Sequence, residues 1–208
     1  MHFRIGAASS SCLGLLAACI GVCGRDAPSP MLAAPTDASQ KLHLITAGEP
    51  ATAATGCLSS HDGYLRVRMR GARNLDIDWR DADMHCDGGP RPDARGVRLT
   101  FAGPEPRSAR RLLFVFGIAA TPGISSARNV PANVTVIFEG QRKLYSTAGD
   151  GKCTVDEYSE QPLSTATNPH QRRFSARGFC TDPALAIAGK SGLLLSRFDF
   201  AGQLDTEP

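Results

Sequence analysis

The sequence predicts an all-β protein: a single antiparallel β-sandwich, jelly-roll-like, with two disulfides, standing behind an N-terminal signal and a flexible tether. Three observations predict it. From Cys57 onward apolar residues recur with a period of two rather than 3.6. Turn residues interrupt that pattern about every 8–12 positions. Four cysteines fall into two local pairs in a chain that opens with an export address. The organisation read from these is a signal over 1–24, a tether over 25–55 and the β domain over 56–208.

The address comes first in the chain. Arg4 supplies a cationic start, an apolar stretch runs from Ile5 to Leu16, and Leu16-Ala17-Ala18-Cys19 matches the pattern on which bacteria acylate an exported protein. The stretch is short and rich in Ser and Gly, whereas a spanning helix needs about 20 apolar residues. Two processing routes stay open. Cutting before Cys19 and acylating its thiol makes a lipoprotein, but leaves Cys23 unpaired in an oxidising space. Cutting after Gly24, with Val22 and Gly24 as the small residues, removes Cys12, Cys19 and Cys23 and leaves an even set of four. Ile20 stands where some bacteria place an Asp to retain a lipoprotein at the inner membrane. The expected location is therefore the outer membrane, facing the periplasm or the surface, with a soluble periplasmic or secreted protein as the alternative.

Residues 25–55 are rich in Ala, Pro, Thr and Ser. Pro28, Pro30, Pro35 and Pro50 interrupt any helix, so the stretch reads as a tether, with Lys41 to Ile45 as a stray strand. In the β domain, Leu65, Val67 and Met69 alternate with Arg66, Arg68 and Arg70. Leu75, Ile77 and Trp79 alternate with Asp76, Asp78 and Arg80, and Val97, Leu99 and Phe101 follow the same rule. Leu112 to Phe116 is apolar throughout, as in a central strand covered on both faces. Val134, Val136 and Phe138 run into a Glu139-Gly140 turn, and Leu144 to Thr147 returns. Asp150-Gly151 signals another hairpin. Arg172 to Cys180 and Gly192 to Ala201 add strands, and Asp182 to Gly189 is the one place for a short helical turn. About eight to ten strands are expected.

Cys57, Cys86, Cys153 and Cys180 allow three pairings. The sequence-local one, Cys57 with Cys86 and Cys153 with Cys180, is favoured. Each bridge would close a loop of roughly 30 residues, worth about 3–4 kcal/mol in the chain-entropy model. No C-x-x-C or Cys/His spacing points to zinc.

Net charge is +3, with no basic run and no basic stripe interleaved with aromatics, so nucleic acid is not an expected partner. The densest polar stretch runs from His61 to Asp87. His61, Asp62 and His85 are its candidate metal ligands or acid–base pair. A plainer account fits the same residues. A hairpin turning at Gly71-Ala72-Arg73-Asn74 sets Arg66, Arg68 and Arg70 opposite or diagonal to Asp76 and Asp78, as a solvated ladder of ion pairs. Asp81, Asp83 and Asp87 then read as turn residues. Asp150, Asp156 and Glu157 glance at a calcium loop but lack the early oxygen ladder of that motif. Gly189-Lys190-Ser191 lacks the first glycine of a phosphate loop, and no G-x-S-x-G is present. Arg197 and Asp199 read as a surface pair, and Trp79 as core, which weakens a sugar-binding reading. Asn133-Val134-Thr135 fits a glycosylation acceptor only by accident under a bacterial address.

From Gly63 to Gly202 the chain resembles a family of exported or lipid-anchored Gram-negative bacterial proteins. The resemblance rests on LDIDW (75–79), DMHCDGGPRPD (83–93), NVTVIFEG (133–140), GKCTVDE (151–157), RGFCTDP (177–183) and SRFDFAG (196–202). It implies one exported, disulfide-bonded domain and carries no activity. The leading reading is a non-enzymatic envelope protein that binds an envelope protein partner or serves structure, with no cofactor and a membrane attachment through lipid. A metal-dependent periplasmic hydrolase using His61, Asp62 and His85, and a calcium-stabilised binding module, are the alternatives.

Overall fold

The computed structural model describes residues 57–106, 108, 110–121, 123–163 and 169–206. The signal, the acylation candidate Cys19 and the tether lie outside the described residues, as does the stray strand expected over 41–45.

The alternation becomes eleven strands: β1 (Tyr64–Gly71), β2 (Leu75–Arg80), β3 (His85–Pro90), β4 (Val97–Pro104), β5 (Arg111–Ile118), β6 (Ser126–Phe138), β7 (Lys143–Ser146), β8 (Cys153–Pro162), β9 (Gln171–Cys180), β10 (Ala184–Ala186) and β11 (Gly192–Asp205). The protein is all-β, and every strand-to-strand pairing is antiparallel. The β1–β2 hairpin has the expected register, with Arg66 opposite Asp78 and Arg68 opposite Asp76.

The arrangement differs from two separate facing sheets. β6 and β11 are long, 13 and 14 residues, and each pairs with different neighbours along its two halves. As a result β11, β9, β8, β6, β7 and β10 pair in turn and close on themselves as a six-stranded ring. β1 and β2 extend from β11, while β5, β4 and β3 extend from β6. Closure leaves no open edge within the ring. Alternation reports which face of a strand is buried; it carries no record of which partners a long strand takes at each end, so it holds no signal of the closure.

The core forms where β4 and β5 lie over β11. Phe116 meets Phe200 at 4.7 Å and Phe198 at 5.2 Å between ring centroids, and Phe101 meets Phe200 at 5.0 Å. All are fully buried, and each such side chain contributes about 1.5–3 kcal/mol by leaving water. Trp79 is buried as expected, edge-on to Phe114, with its indole N–H donating to the Pro104 carbonyl at 3.1 Å.

Both disulfides take the sequence-local pairing. Cys57–Cys86 ties the segment before β1 to β3; Cys153–Cys180 joins the start of β8 to the end of β9, where the two residues are directly opposed.

Four expectations are corrected. Asp182 to Gly189 makes no helical turn but contains β10. His85–Pro90 is a strand, so Asp87 lies in β3 rather than in a turn. Asp150-Gly151 leads from β7 to β8, but those strands pair with others and not with each other. In β5, a central strand, only one face is fully buried; Leu113 and Val115 are half-buried.

Candidate functional site

The outer face of β6–β8–β9–β11–β1–β2 carries a row of charges that no single strand reveals. Register sets Arg128 opposite Glu157, Glu157 opposite Arg177, Arg177 opposite Asp199, Asp199 opposite Arg66, and Arg66 opposite Asp78. Charge alternates across six strands. Arg177 Nη2 reaches Glu157 Oε2 at 2.8 Å, Arg128 Nη2 reaches Glu157 Oε1 at 3.7 Å, and Arg66 Nε reaches Asp78 Oδ1 at 3.2 Å. Each exposed pair contributes little to stability, about 0–1 kcal/mol.

Asp199 sits in the middle of this row but does not pair with Arg197, contrary to the sequence reading. Its Oδ1 accepts the Tyr64 hydroxyl at 2.8 Å. Burial, and then the Asp199 carboxylate, push the Tyr64 phenol up to about 12. The Arg66 guanidinium covers the Tyr64 ring, 5.0 Å from its centroid. One position further along, Asp76 is shared: Arg70 grips it with two hydrogen bonds, at 2.7 and 3.2 Å, and Arg68 approaches to 3.7 Å. Arg70 first, and Arg68 with it, hold the Asp76 carboxyl below its ordinary value. Arg68 lies opposite Arg197, and Arg197 has no ion-pair or hydrogen-bond partner among the described residues.

Two β-bulges interrupt the same face. On β8 the register steps between Val155 and Glu157, leaving Asp156 extra; on β11 it steps opposite Arg68 and Met69, leaving Ser196 extra. A bulge turns its residue out of the regular alternation. Asp156 and Glu157 thus both face outward, and so do Ser196 and Arg197. Between them β9 presents Arg177 and Phe179. An open groove of about 360 Å³ lies here, lined by Asp156, Arg177, Phe179, Ser196 and Arg197 over the backbone of Gly178.

The candidate metal residues go elsewhere. His61 is exposed, and its Nδ1 lies 3.5 Å from the Asp81 carboxylate. Asp62 accepts from Ser60 and pairs with Arg173 at 2.6 Å. The Ser60 hydroxyl holds its carboxyl below the usual value against the opposing pull of burial, and Arg173 adds to the lowering. His85 opens β3 as an exposed residue. Asp150 is held by Arg91 at 3.0 Å and by the Asn133 amide, Glu157 is held by arginines, and Asp156 stands at the bulge. Among the described residues, no group of three or more His, Cys, Asp or Glu is placed to hold a metal ion. The hydrolase triad and the calcium set therefore do not form as groups.

Asp81, read as a turn residue, has a larger structural part. Its side chain is buried, and Oδ1 accepts the backbone N–H groups of Cys57 (3.1 Å), Leu58 (2.8 Å) and Gly63 (3.2 Å). A Cβ on Gly63 would meet that same oxygen at 2.5 Å, so glycine lets the backbone close on it. The groove residues Phe179 and Ser196 were not singled out from the sequence. Phe179 shares the parity of Arg177 in RGFC, which marks it as outward-facing, but a bulge leaves no comparable signal.

No protein-family model, curated protein or solved structure matches the chain. Fold and site together define an all-β, doubly disulfide-bonded domain with a charged, grooved outer face.

Proposed function

We propose that this is a non-enzymatic cell-envelope protein, exported and anchored by lipid on Cys19, whose β domain binds another envelope component through the β8–β9–β11–β1–β2 face. The observation that carries the reading is the row of alternating charge crossing six strands, interrupted by two adjacent bulges. Alternating charge gives a surface register and orientation toward a partner more than raw affinity. Two disulfides suit an oxidising compartment. In this reading the ring and its appended strands serve as a sandwich-like binding domain. The outer membrane is the proposed destination.

Native mass spectrometry of the full-length product from its host's envelope tests the anchor. An acyl-bearing mass beginning at Cys19 supports it. An unlipidated mass beginning near Arg25 overturns the lipid anchor and makes the protein a soluble exported one.

A further inference from the structure

We infer that the groove between the two bulges is a binding site for a saccharide bearing a carboxylate group, a hexuronic or similar acidic sugar. This rests on reading the outer face as a binding surface and names the ligand that one part of it takes.

Four features converge within the groove. Asp156 is an exposed carboxylate with no ion-pair or hydrogen-bond partner among the described residues, although arginines line the same groove. Arg197 is likewise unpartnered, and its neighbour across the strands is another arginine, Arg68, whose nearest acid is already shared with Arg70. Phe179 is 38% exposed, one of few large apolar residues so exposed among the described residues. Ser196 donates its hydroxyl proton to the Arg68 carbonyl at 3.3 Å, which leaves its oxygen free to accept.

An acidic sugar matches each feature. A guanidinium forks onto a carboxylate through two parallel N–H donors, which suits Arg197. A carboxylate accepts from adjacent ring hydroxyls, which suits Asp156. The C–H face of a pyranose covers an aromatic ring and takes apolar surface out of water, which suits Phe179. Arg177 is occupied by Glu157, so the guanidinium left open to a ligand carboxylate is that of Arg197, with Asp156 the open acceptor for hydroxyls. A neutral sugar would leave the Arg197 guanidinium without a partner, and a bare anion would leave Phe179 and Asp156 unused.

The groove is also held in place before any ligand arrives. Cys180, next to Phe179, is bridged to Cys153. Gly178 packs so closely on the Thr154 carbonyl, the Val155 Cα and the Phe198 ring that no side chain fits there. A site fixed beforehand loses less freedom on binding.

The test uses the full-length protein in isothermal titration. The panel is tetragalacturonate, tetramannuronate and the N-acetylglucosamine–N-acetylmuramic acid disaccharide, with chitotetraose and maltotetraose as neutral controls. Binding to an acidic member, weakened about tenfold or more by Arg197→Ala and by Phe179→Ala, supports the inference. Phe179→Trp should retain binding, and the melting temperature of each variant reports on folding. Three results overturn the inference: no acidic glycan binding at millimolar concentration, equal binding of neutral and acidic glycans, or binding unchanged in both alanine variants. Such a protein that still crosslinks to an envelope neighbour through this face would leave the binding reading standing. Glycan binding in vitro without any neighbour in cells would do the reverse.

Discussion

The Tyr64 hydroxyl on β1 donates to the Asp199 carboxylate on β11, 2.8 Å away, and so closes the middle of the charged row with a neutral group. Burial and the nearby carboxylate both favour the protonated phenol, which is pushed up to about 12 from an ordinary value of 10.0. A proton held more tightly in the folded state stabilises that state fully below about pH 10, where the unfolded phenol is also protonated. The contribution fades as pH rises from about 10 to about 12. Burial, and then Glu160, also raise the Tyr158 phenol, so ultraviolet titration should show late ionisation that Tyr64→Phe reduces without abolishing, and the same variant should lessen the fall in stability over that window.

Tyr64→Phe also leaves Asp199 without its donor. The expected cost near neutral pH is about 1 kcal/mol. For a domain of this size that lowers Tm by about 2–4 °C, measurable by calorimetry.

Asp81→Ala is expected to cost more, about 2–3 kcal/mol or above, because the N–H groups of Cys57, Leu58 and Gly63 lose a shared acceptor in a buried place. Asp81→Asn keeps an acceptor oxygen and should lose less. Urea midpoints of the two variants, compared at equal slope, separate these outcomes.

The charge ladder of the β1–β2 hairpin, the burial of Trp79 and the pairing of all four cysteines were legible in the sequence, because each follows from alternation, short loops or proximity along the chain. The ring was not, since closure depends on β6 and β11 pairing differently at their two ends. The groove was hidden for a related reason. A one-residue bulge at Asp156 or Ser196 is a property of two strands in register and leaves no mark in either alone. Asp199 takes as its partner Tyr64, far away in sequence, and not Arg197 two residues before it.

Removing the Cys153–Cys180 bridge by paired serine substitution should cost about 3 kcal/mol in the chain-entropy model, for a separation of 27 residues. The β8 bulge and Phe179 lie beside it, so hydrogen exchange should quicken there before it does in β4 and β5. Equal quickening throughout would show that the bridge acts on the whole domain alone.

Gly178→Ala places a methyl group against the Thr154 carbonyl and within 2.9 Å of the Val155 Cα. The β8 bulge must shift, at an expected cost of about 1–3 kcal/mol, read from the denaturation midpoint.

The account rests on the β8–β9–β11–β1–β2 face being the surface that meets the envelope. Photo-crosslinking residues placed in the full-length protein in intact host cells, at Ser175 or Arg66 on this face and at Arg98 on β4 away from it, test that most directly. The account predicts discrete, reproducible adducts from Ser175 and Arg66 and none of that kind from Arg98. Adducts of equal strength from all three positions, or none from the charged face, would contradict it.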